Sequence, residues 1–230
     1  FCGEDLFLHL HYWDPHGPLS PPPEWIDRGY EPDTSAVTDE QLTRLAASPL
    51  YRGGRHTGVR SRRELAELLR LYDAEIRYTD HLVGQMCAYL KKRGWYDDCA
   101  VILSADHGEQ YGEGQMILEH GTVHDSCIHI PMLLKLPGGA HRGEVCAHPV
   151  YGLDIAPAAA RFFGVAAPEM WHGTALQDTL DGTAAPREYL VCEHGLYTCQ
   201  RAVLQDGWKM VHTFSPGLWD FAEYALYHTE

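Results

Sequence analysis

Residues 100–105 read Ala-Val-Ile-Leu-Ser-Ala, an apolar run without the alternation of a strand that has one face in water. Such a run is typical of a strand buried on both faces of a parallel sheet. A second apolar run at residues 130–136 ends at Pro137-Gly138-Gly139. The chain has 230 residues, 45% of them hydrophobic, so it can bury one substantial core around these strands.

A long helix is predicted between residue 61 and Gly94. Ser61-Arg62-Arg63-Glu64 has the form of a capping box, and Gly94 supplies the stop. One stripe of three- and four-residue steps is predicted to face the core; it comprises Leu65, Leu69, Tyr72, Ile76, the polar Thr79, Val83, Met86 and Leu90. Helical spacing returns at residues 155–163 and stops at Gly164.

The two ends of the chain differ in the structure that their residue patterns predict. Residues 6–12 alternate and predict a strand, and residues 14–34, with eight Pro and Gly residues, predict an irregular excursion. Short strands are predicted at 189–192, 201–205 and 208–213, with Asp206-Gly207 as a hairpin turn. This order predicts an α/β layered domain over 1–185 and a small antiparallel β subdomain over 186–230.

Charge and composition exclude several classes of protein. Lys and Arg number 18 against 32 Asp and Glu, and the net charge of −14 argues against a nucleic-acid partner. No apolar run approaches the roughly 18 residues that a membrane span requires. Seven scattered cysteines without a CxxC pair suggest reduced thiols and a cytoplasmic location. The start at Phe1, without Met, suggests a fragment.

Polar groups follow two of the predicted strands, Asp14-Pro15-His16 after the first and Asp106-His107-Gly108-Glu109 after the run at 100–105. Because ligands bind beyond the carboxyl ends of strands in open α/β sheets, Asp106 and His107 are candidate ligands of one cation. An Asp that caps a turn beside a hydrogen-bonded His is the alternative. His120 and His124 lie just before the next strand, where a solvated loop is the alternative to a site.

Several segments resemble the formylglycine-dependent sulfatases and the related phosphonate monoester hydrolases of the alkaline phosphatase superfamily. The segments are residues 11–18 (HYWDPHGP), 72–80 (YDAEIRYTD), 104–109 (SADHGE), 130–134 with Pro137-Gly138, 153–157 (LDIAP), 173–176 (GTAL) and 208–210 (WKM). The resemblance spans nearly the whole chain. It implies an α/β fold with a layered, alkaline-phosphatase-like sheet flanked by helices.

The resemblance also implies roles for individual residues. Asp106 and His107 match the two late metal ligands of the family, and His16 matches the histidine that contacts the transferred group or assists the leaving oxygen. His120 falls where many members place a lysine that binds sulfate or phosphate oxygens; His124 is a second candidate for that task. A histidine carries the positive charge of that lysine only when protonated.

The nucleophile of the family has no match in the chain. The family oxidises a Cys or Ser in a C/S-x-P-x-R-like motif to formylglycine, whereas Cys2 and Cys127 lack this context and Ser20 is followed by Glu24 at the arginine position. We therefore expect formylglycine upstream of the chain, and 1–185 to be the later part of the catalytic domain. Oxygen-rich ligation favours one Ca²⁺, Mg²⁺ or Mn²⁺ ion, and the His107 imidazole shifts the preference toward Mn²⁺.

The predicted function is metal-dependent hydrolysis of a small anionic ester, either a sulfate ester or a related phosphonate or phosphate ester. One alternative is a two-metal phosphodiesterase or phosphatase of the same superfamily, with His16 and His120 on a second cation. A second alternative is a binding module that keeps the fold without catalysis.

Overall fold

The computed structural model describes residues 5–47 and 59–229. Within these ranges the helices are α1 (Asp39–Ala46), α2 (Arg62–Lys92), α3 (Asp125–Ile128), α4 (Ile155–Phe162) and α5 (Leu176–Leu180). The strands are β1 (Val101–Ser104), β2 (Gln110–Tyr111), β3 (Ile117–Glu119), β4 (Met132–Lys135), β5 (Leu190–His194), β6 (Cys199–Gln205), β7 (Trp208–Ser215) and β8 (Tyr224–His228). No helix in this part of the chain is long and apolar enough to cross a membrane.

The predicted long helix is confirmed as α2, which begins after Ser61 and ends shortly before Gly94 at φ +70°. Ser61 Oγ accepts a hydrogen bond from the Glu64 amide at 3.3 Å. The predicted core stripe is only partly correct, because Leu65 is buried whereas Ile76 is 43% exposed. A helix of 31 residues is roughly 46 Å long, and the local core covers its first turns, so the later stripe positions Val83, Met86 and Leu90 are only partly buried.

The predicted strands at 100–105 and 130–136 are confirmed as β1 and β4, but the parallel, doubly buried arrangement is wrong. The two strands pair antiparallel, with Ile102 opposite Leu134. Both are only partly buried, and Leu133 is 59% exposed. An apolar run indicates that a strand tends to be buried. It does not indicate whether the partner strand runs parallel or antiparallel, and the sequence pattern therefore predicted the wrong arrangement.

The strand predicted at residues 6–12 is also wrong. This segment is irregular and exposed, and none of the described strands pairs with it. An alternating pattern forms a strand only where a neighbouring backbone completes the hydrogen bonds. The irregular excursion at 14–34 is confirmed, since it contains only a short 3₁₀ turn at Pro23–Trp25.

Helix α1 lies in the region 19–60, for which no regular element was predicted. Its start carries a reciprocal capping box, in which the Gln41 amide donates to Thr38 Oγ1 at 3.2 Å and the Thr38 amide donates to Gln41 Oε1 at 2.7 Å. The Thr-x-x-Gln signature was therefore present in the sequence. Residues 48–58 of the same region lie outside the described residues. The main core cluster joins α1, α2 and the β2–β3 hairpin through Val37, Leu42, Val59, Leu65, Tyr111, Ile117 and Leu118.

The antiparallel C-terminal sheet is confirmed and has the order β5-β6-β7-β8. The hairpin turn at Asp206-Gly207 has φ of 49° and 75°, the left-handed conformation that the Asp-Gly pair favours. Strand β8 was not predicted, and most of its side chains are exposed.

Several contacts join residues before position 185 to residues after position 186. The domain boundary between these two positions stays a prediction. Asp154 is completely buried, and its carboxylate accepts two hydrogen bonds from Arg187, at 2.6 and 2.8 Å. It also accepts from the backbone amides of Tyr151 at 2.8 Å and Thr174 at 2.7 Å. Lys209, 3% exposed, forms an ion pair with Asp125 at 2.6 Å. These contacts join residues 186–230 to the preceding part of the chain, and the Lys209–Asp125 pair links β7 to α3.

Candidate active site

The β2–β3 hairpin brings Glu109 and His120 together. Gln110 pairs with Glu119 in the antiparallel register of this hairpin, so the residues just outside the pair, Glu109 and His120, face each other. Glu109 Oε1 lies 3.4 Å from His120 Nδ1. Local strand pairing therefore explains a contact between residues that are 11 positions apart.

The loop after β1 positions Asp106 and His107. The His107 amide donates to Asp106 Oδ1 at 3.0 Å, and Asp106 Oδ2 lies 3.7 Å from His107 Nε2. The next amide, of Gly108, donates to the Cys127 carbonyl at 2.8 Å. A Cβ at Gly108 would collide with the Ser126 carbonyl oxygen, so the loop approaches α3 as closely as only glycine allows.

His16 reaches the same place from the N-terminal segment. Its amide donates to the Trp13 carbonyl at 3.0 Å, and its ring lies 4.8 Å from the Trp13 ring. Gly17 is buried, and a Cβ there would lie 3.0 Å from Leu118 Cδ2 of β3. The close approach of Gly17 to β3 holds His16 beside the hairpin that carries His120.

Three histidines, His16, His107 and His120, form one cluster. The rings of His107 and His120 stack with centroids 3.7 Å apart and an interplanar angle of 22°. The His16 ring lies 5.7 Å from His120 and 6.1 Å from His107. One nitrogen of each ring lies within 4.8 Å of those of the other two, a spacing suited to a shared ligand or ion.

The C-terminal sheet supports the loop of His120. Thr198 Oγ1 donates to the Gly121 carbonyl at 2.7 Å, and the Val123 amide donates to Gln200 Oε1 at 3.2 Å. Both Thr198 and Gln200 are buried. The antiparallel subdomain therefore acts on the site indirectly, because it holds the segment 121–123 that follows the histidine.

Burial controls the charge of the Glu109–His120 pair. Burial, and then the nearby Glu119 carboxylate, raise the pKa of Glu109 to about 8. Burial, followed by the neighbouring His107 and His16, lowers the pKa of His120 to about 4. At neutral pH the pair therefore holds one proton and His120 is uncharged. A neutral His120 cannot supply the positive charge that the resemblance assigns to a lysine at its position.

The structure places His16, His107 and His120 together, with Asp106 at their edge and its side chain 77% exposed. The functional roles of these four residues stay predictions. His124 lies outside the cluster and caps α3, since its Nδ1 lies 3.3 Å from the Ser126 amide. Sequence reasoning missed Glu109 as a partner of His120, although it stands in the Asp106-His107-Gly108-Glu109 motif.

The described residues form an α/β domain with an antiparallel C-terminal sheet. It shares its fold with the phosphonate monoester hydrolase of Silicibacter pomeroyi at a TM-score of 0.75 and 23% identity, over 93% of this chain and 48% of that one. Residues 3–165 match the family model described as Sulfatase. The chain therefore belongs to the sulfatase family, and both the resemblance and the fold class drawn from the sequence are confirmed.

Curated relatives show the same kinship. The multifunctional alkaline phosphatase superfamily protein PehA of Trinickia caryophylli is 27% identical over 192 residues, which are 76% of this chain and 37% of the relative. The arylsulfatase of Clostridium perfringens is 23% identical over 200 residues, 82% of this chain and 40% of the relative. The chain thus spans less than half the length of these proteins.

Proposed function

We propose that the chain contributes to the active site of a metal-dependent hydrolase that cleaves sulfate esters or phosphonate esters. The observation that carries the proposal is the convergence of His16, His107 and His120, with Asp106 at their edge, on a sulfatase-family fold. Relatives named as an arylsulfatase and a choline-sulfatase, and a structural neighbour named as a phosphonate monoester hydrolase, support a small anionic ester as substrate.

The donor chemistry of the site fits a divalent cation. Asp106 offers a carboxylate oxygen and His107 an imidazole nitrogen, on a loop that Gly108 fixes against α3. A cation bound there would polarise the ester and stabilise negative charge on its oxygens.

The remaining residues act on the substrate directly. Nδ1 of His16 donates to the Gly17 carbonyl at 2.7 Å, so Nε2 is left for the leaving oxygen of the ester, to which it would donate a proton when both ring nitrogens carry one. His120, neutral at pH 7, would bind an ester oxygen as a hydrogen-bond donor and not as a full charge. The formylglycine nucleophile and the cytoplasmic location stay predictions.

Hydrolysis assays test the proposal. The full-length protein that contains this chain, with the expected formylglycine in place, should cleave 4-nitrophenyl sulfate or a 4-nitrophenyl phosphonate monoester after supply of divalent metal. Asp106→Asn should lower kcat/KM roughly 100-fold or more, since the carboxylate is a proposed ligand. Asp80→Asn, on the exposed face of α2, is the matched control and should leave kcat/KM unchanged. Absence of turnover on both ester classes with every divalent metal would favour the inactive binding module.

The two-metal phosphodiesterase remains a second candidate because His16 and His120 lie close enough to share a cation. Two equivalents of zinc per chain, with a phosphodiester cleaved faster than either monoester, would favour it over the sulfatase assignment.

A further inference from the structure

Two turns of the C-terminal sheet carry the same kind of tripeptide, a glycine followed by a leucine and an aromatic residue. The turn between β5 and β6 contains Gly195-Leu196-Tyr197, and the loop between β7 and β8 contains Gly217-Leu218-Trp219. A Cβ at Gly217 would collide with the Tyr197 carbonyl oxygen, so the two turns touch as closely as only glycine allows. The contact brings the two Leu-aromatic pairs to one part of the surface.

The side chains of these turns are apolar and yet exposed. Leu196 is 73% exposed and Leu218 is 63% exposed; Tyr197 is exposed as well, and Trp219 is half-buried. Turns at a protein surface ordinarily carry Gly, Pro, Asn, Asp or Ser. A group of neighbouring exposed apolar side chains instead marks a surface that binds another molecule.

Hydrogen bonds hold both turns in place. Trp219 Nε1 donates to the Gln115 carbonyl at 3.1 Å, and Gln115 Nε2 donates to the Asp220 carbonyl at 3.2 Å, which fixes one loop to the β2–β3 hairpin. In the other turn the Tyr197 amide donates to His194 Nε2 at 3.4 Å. Because the backbone is already ordered, a ligand that packs on these side chains pays little entropy to immobilise them.

The β5–β6 turn lies against the loop of His120. A Cβ at Gly121 would lie 2.9 Å from Tyr197 Cδ2, so the tyrosine ring contacts the residue that follows His120. His194, in the same turn, is close enough to His120 to help lower its pKa. A substrate whose ester oxygen meets His120 therefore brings its alcohol portion within reach of the two turns.

The charge of the two turns indicates what kind of alcohol they suit. Neither 194–198 nor 216–221 contains a lysine or an arginine, and 216–221 contributes the carboxylate of Asp220. Burial lowers the pKa of His194, so this residue is uncharged at neutral pH. An alcohol with a further sulfate or carboxylate group would require cationic partners. The turns therefore favour an alcohol without charge.

We propose that Leu196, Tyr197, Leu218 and Trp219 form the subsite for the alcohol portion of the ester, and that this portion is uncharged, flat and apolar, such as a fused aromatic ring. The inference rests on the proposed function and deepens it, because it names the substrate class and places part of the substrate site on the C-terminal sheet. The four residues determine specificity and take no part in bond cleavage. Aromatic rings of a ligand stack on or pack edge-on against tyrosine and tryptophan, and the leucines contribute apolar area.

Binding of a free aromatic alcohol tests the proposal without any need for turnover. The full-length protein that contains this chain is titrated with fluorescent 4-methylumbelliferone. Leu196→Ser and Tyr197→Ala should each weaken binding about five-fold or more, whereas Tyr197→Phe, which keeps the ring, should retain it. Leu226→Ser, in β8 with the same 63% exposure as Leu218, is the matched control and should change binding by less than about two-fold.

Steady-state kinetics connect the subsite to hydrolysis. In Tyr197→Ala, kcat/KM for 4-methylumbelliferyl sulfate should fall about ten-fold, whereas kcat/KM for 2,2,2-trifluoroethyl sulfate should stay within about two-fold, because this small alcohol has no ring to place on Tyr197. The same comparison applies to the corresponding phosphonate monoesters if these are the esters that the protein cleaves.

Unchanged binding of 4-methylumbelliferone in Leu196→Ser and Tyr197→Ala would overturn the proposal, as would equal losses of kcat/KM on the two esters. Far-UV circular dichroism and urea midpoints confirm that each variant is folded, and the exposed Leu196→Ser carries the test if Tyr197→Ala is not. Binding that both variants weaken, without hydrolysis of any ester, leaves the subsite standing and removes the proposed function. Hydrolysis that neither variant alters removes the subsite alone.

Discussion

Glu109 Oε1 lies 3.4 Å from Nδ1 of His120, directly beside the Gln110–Glu119 pair of the β2–β3 hairpin. Burial keeps Glu109 protonated at neutral pH, so its carboxyl group would donate to His120 Nδ1 and leave the Nε2 proton of His120 for an ester oxygen. On the proposed function, Glu109→Ala in the full-length protein should lower kcat/KM for ester hydrolysis about ten-fold, as measured by steady-state kinetics. Glu40→Ala, on the exposed surface of α1, is the control, and equal kcat/KM values in the two variants would contradict this role of Glu109.

The same pair predicts how the stability of metal-free protein depends on pH. Glu109 has a pKa of about 8 when folded against 4.5 when unfolded, so its contribution is full below 4.5 and is lost as pH rises to about 8. His120 has a pKa of about 4 when folded against 6.5 when unfolded, so its contribution rises with pH between those values.

The two trends oppose each other up to pH 6.5, above which the Glu109 trend acts alone until about pH 8. Urea unfolding in chelator should therefore show the free energy of unfolding falling from pH 6.5 to 8, relative to Glu109→Gln. A parallel pH profile in that variant would be inconsistent with a protonated, buried Glu109. His120→Gln should remove the opposing trend, so that the fall due to Glu109 begins near pH 4.5 and continues to about pH 8.

A lysine at position 120 separates two roles for the residue. His120→Lys places a permanent cation beside Glu109, whereas His120→Gln keeps only a neutral hydrogen-bond donor. Because His120 is proposed to act as a neutral donor, His120→Gln should keep kcat/KM for ester hydrolysis within about ten-fold, and His120→Lys should not exceed the unsubstituted protein. Hydrolysis by His120→Lys that is faster than that by the unsubstituted protein would instead assign position 120 to charge stabilisation of the ester.

Two glycines give opposite stability predictions. Gly108→Ala forces a Cβ against the Ser126 carbonyl and should destabilise the protein by roughly 1–3 kcal/mol while weakening metal binding at the adjacent His107. Gly84→Ala, in α2 with open space around the new Cβ, should stabilise by about 0.5–1 kcal/mol. Urea unfolding and calorimetry on both variants check the pair, and a neutral Gly108→Ala would show that the loop can move away from α3.

The buried pair of Asp154 and Arg187 should dominate the attachment of the C-terminal sheet. Asp154→Ala leaves the Arg187 guanidinium, whose side chain is 18% exposed, without its carboxylate, and should cost about 3–5 kcal/mol of unfolding free energy. Glu193→Gln disrupts the exposed pair with Arg201 and should cost less than about 1 kcal/mol. Similar losses in the two variants, measured by urea unfolding, would show that burial does not set the strength of these pairs.

The sequence alone determined those elements that depend on interactions between residues close together in the chain. Ser61 and Gly94 delimit α2, Asp206-Gly207 turns the β6–β7 hairpin, and Asp106-His107 follows a strand because each depends on backbone chemistry within a few residues. The resemblance of the motifs to sulfatases also came from the order of residues alone, and the family match confirms it.

Tertiary structure alone decided the direction of β1 and β4, the exposure of Ile76 and residues 6–12, and the charge of His120. Strand direction and burial depend on which distant segment packs alongside, and no local pattern contains that information. The charge of His120 depends on desolvation and on His107 and His16, which the Gly108 and Gly17 contacts bring to it. The sequence determined that these side chains are present, and folding decided that they act on one another.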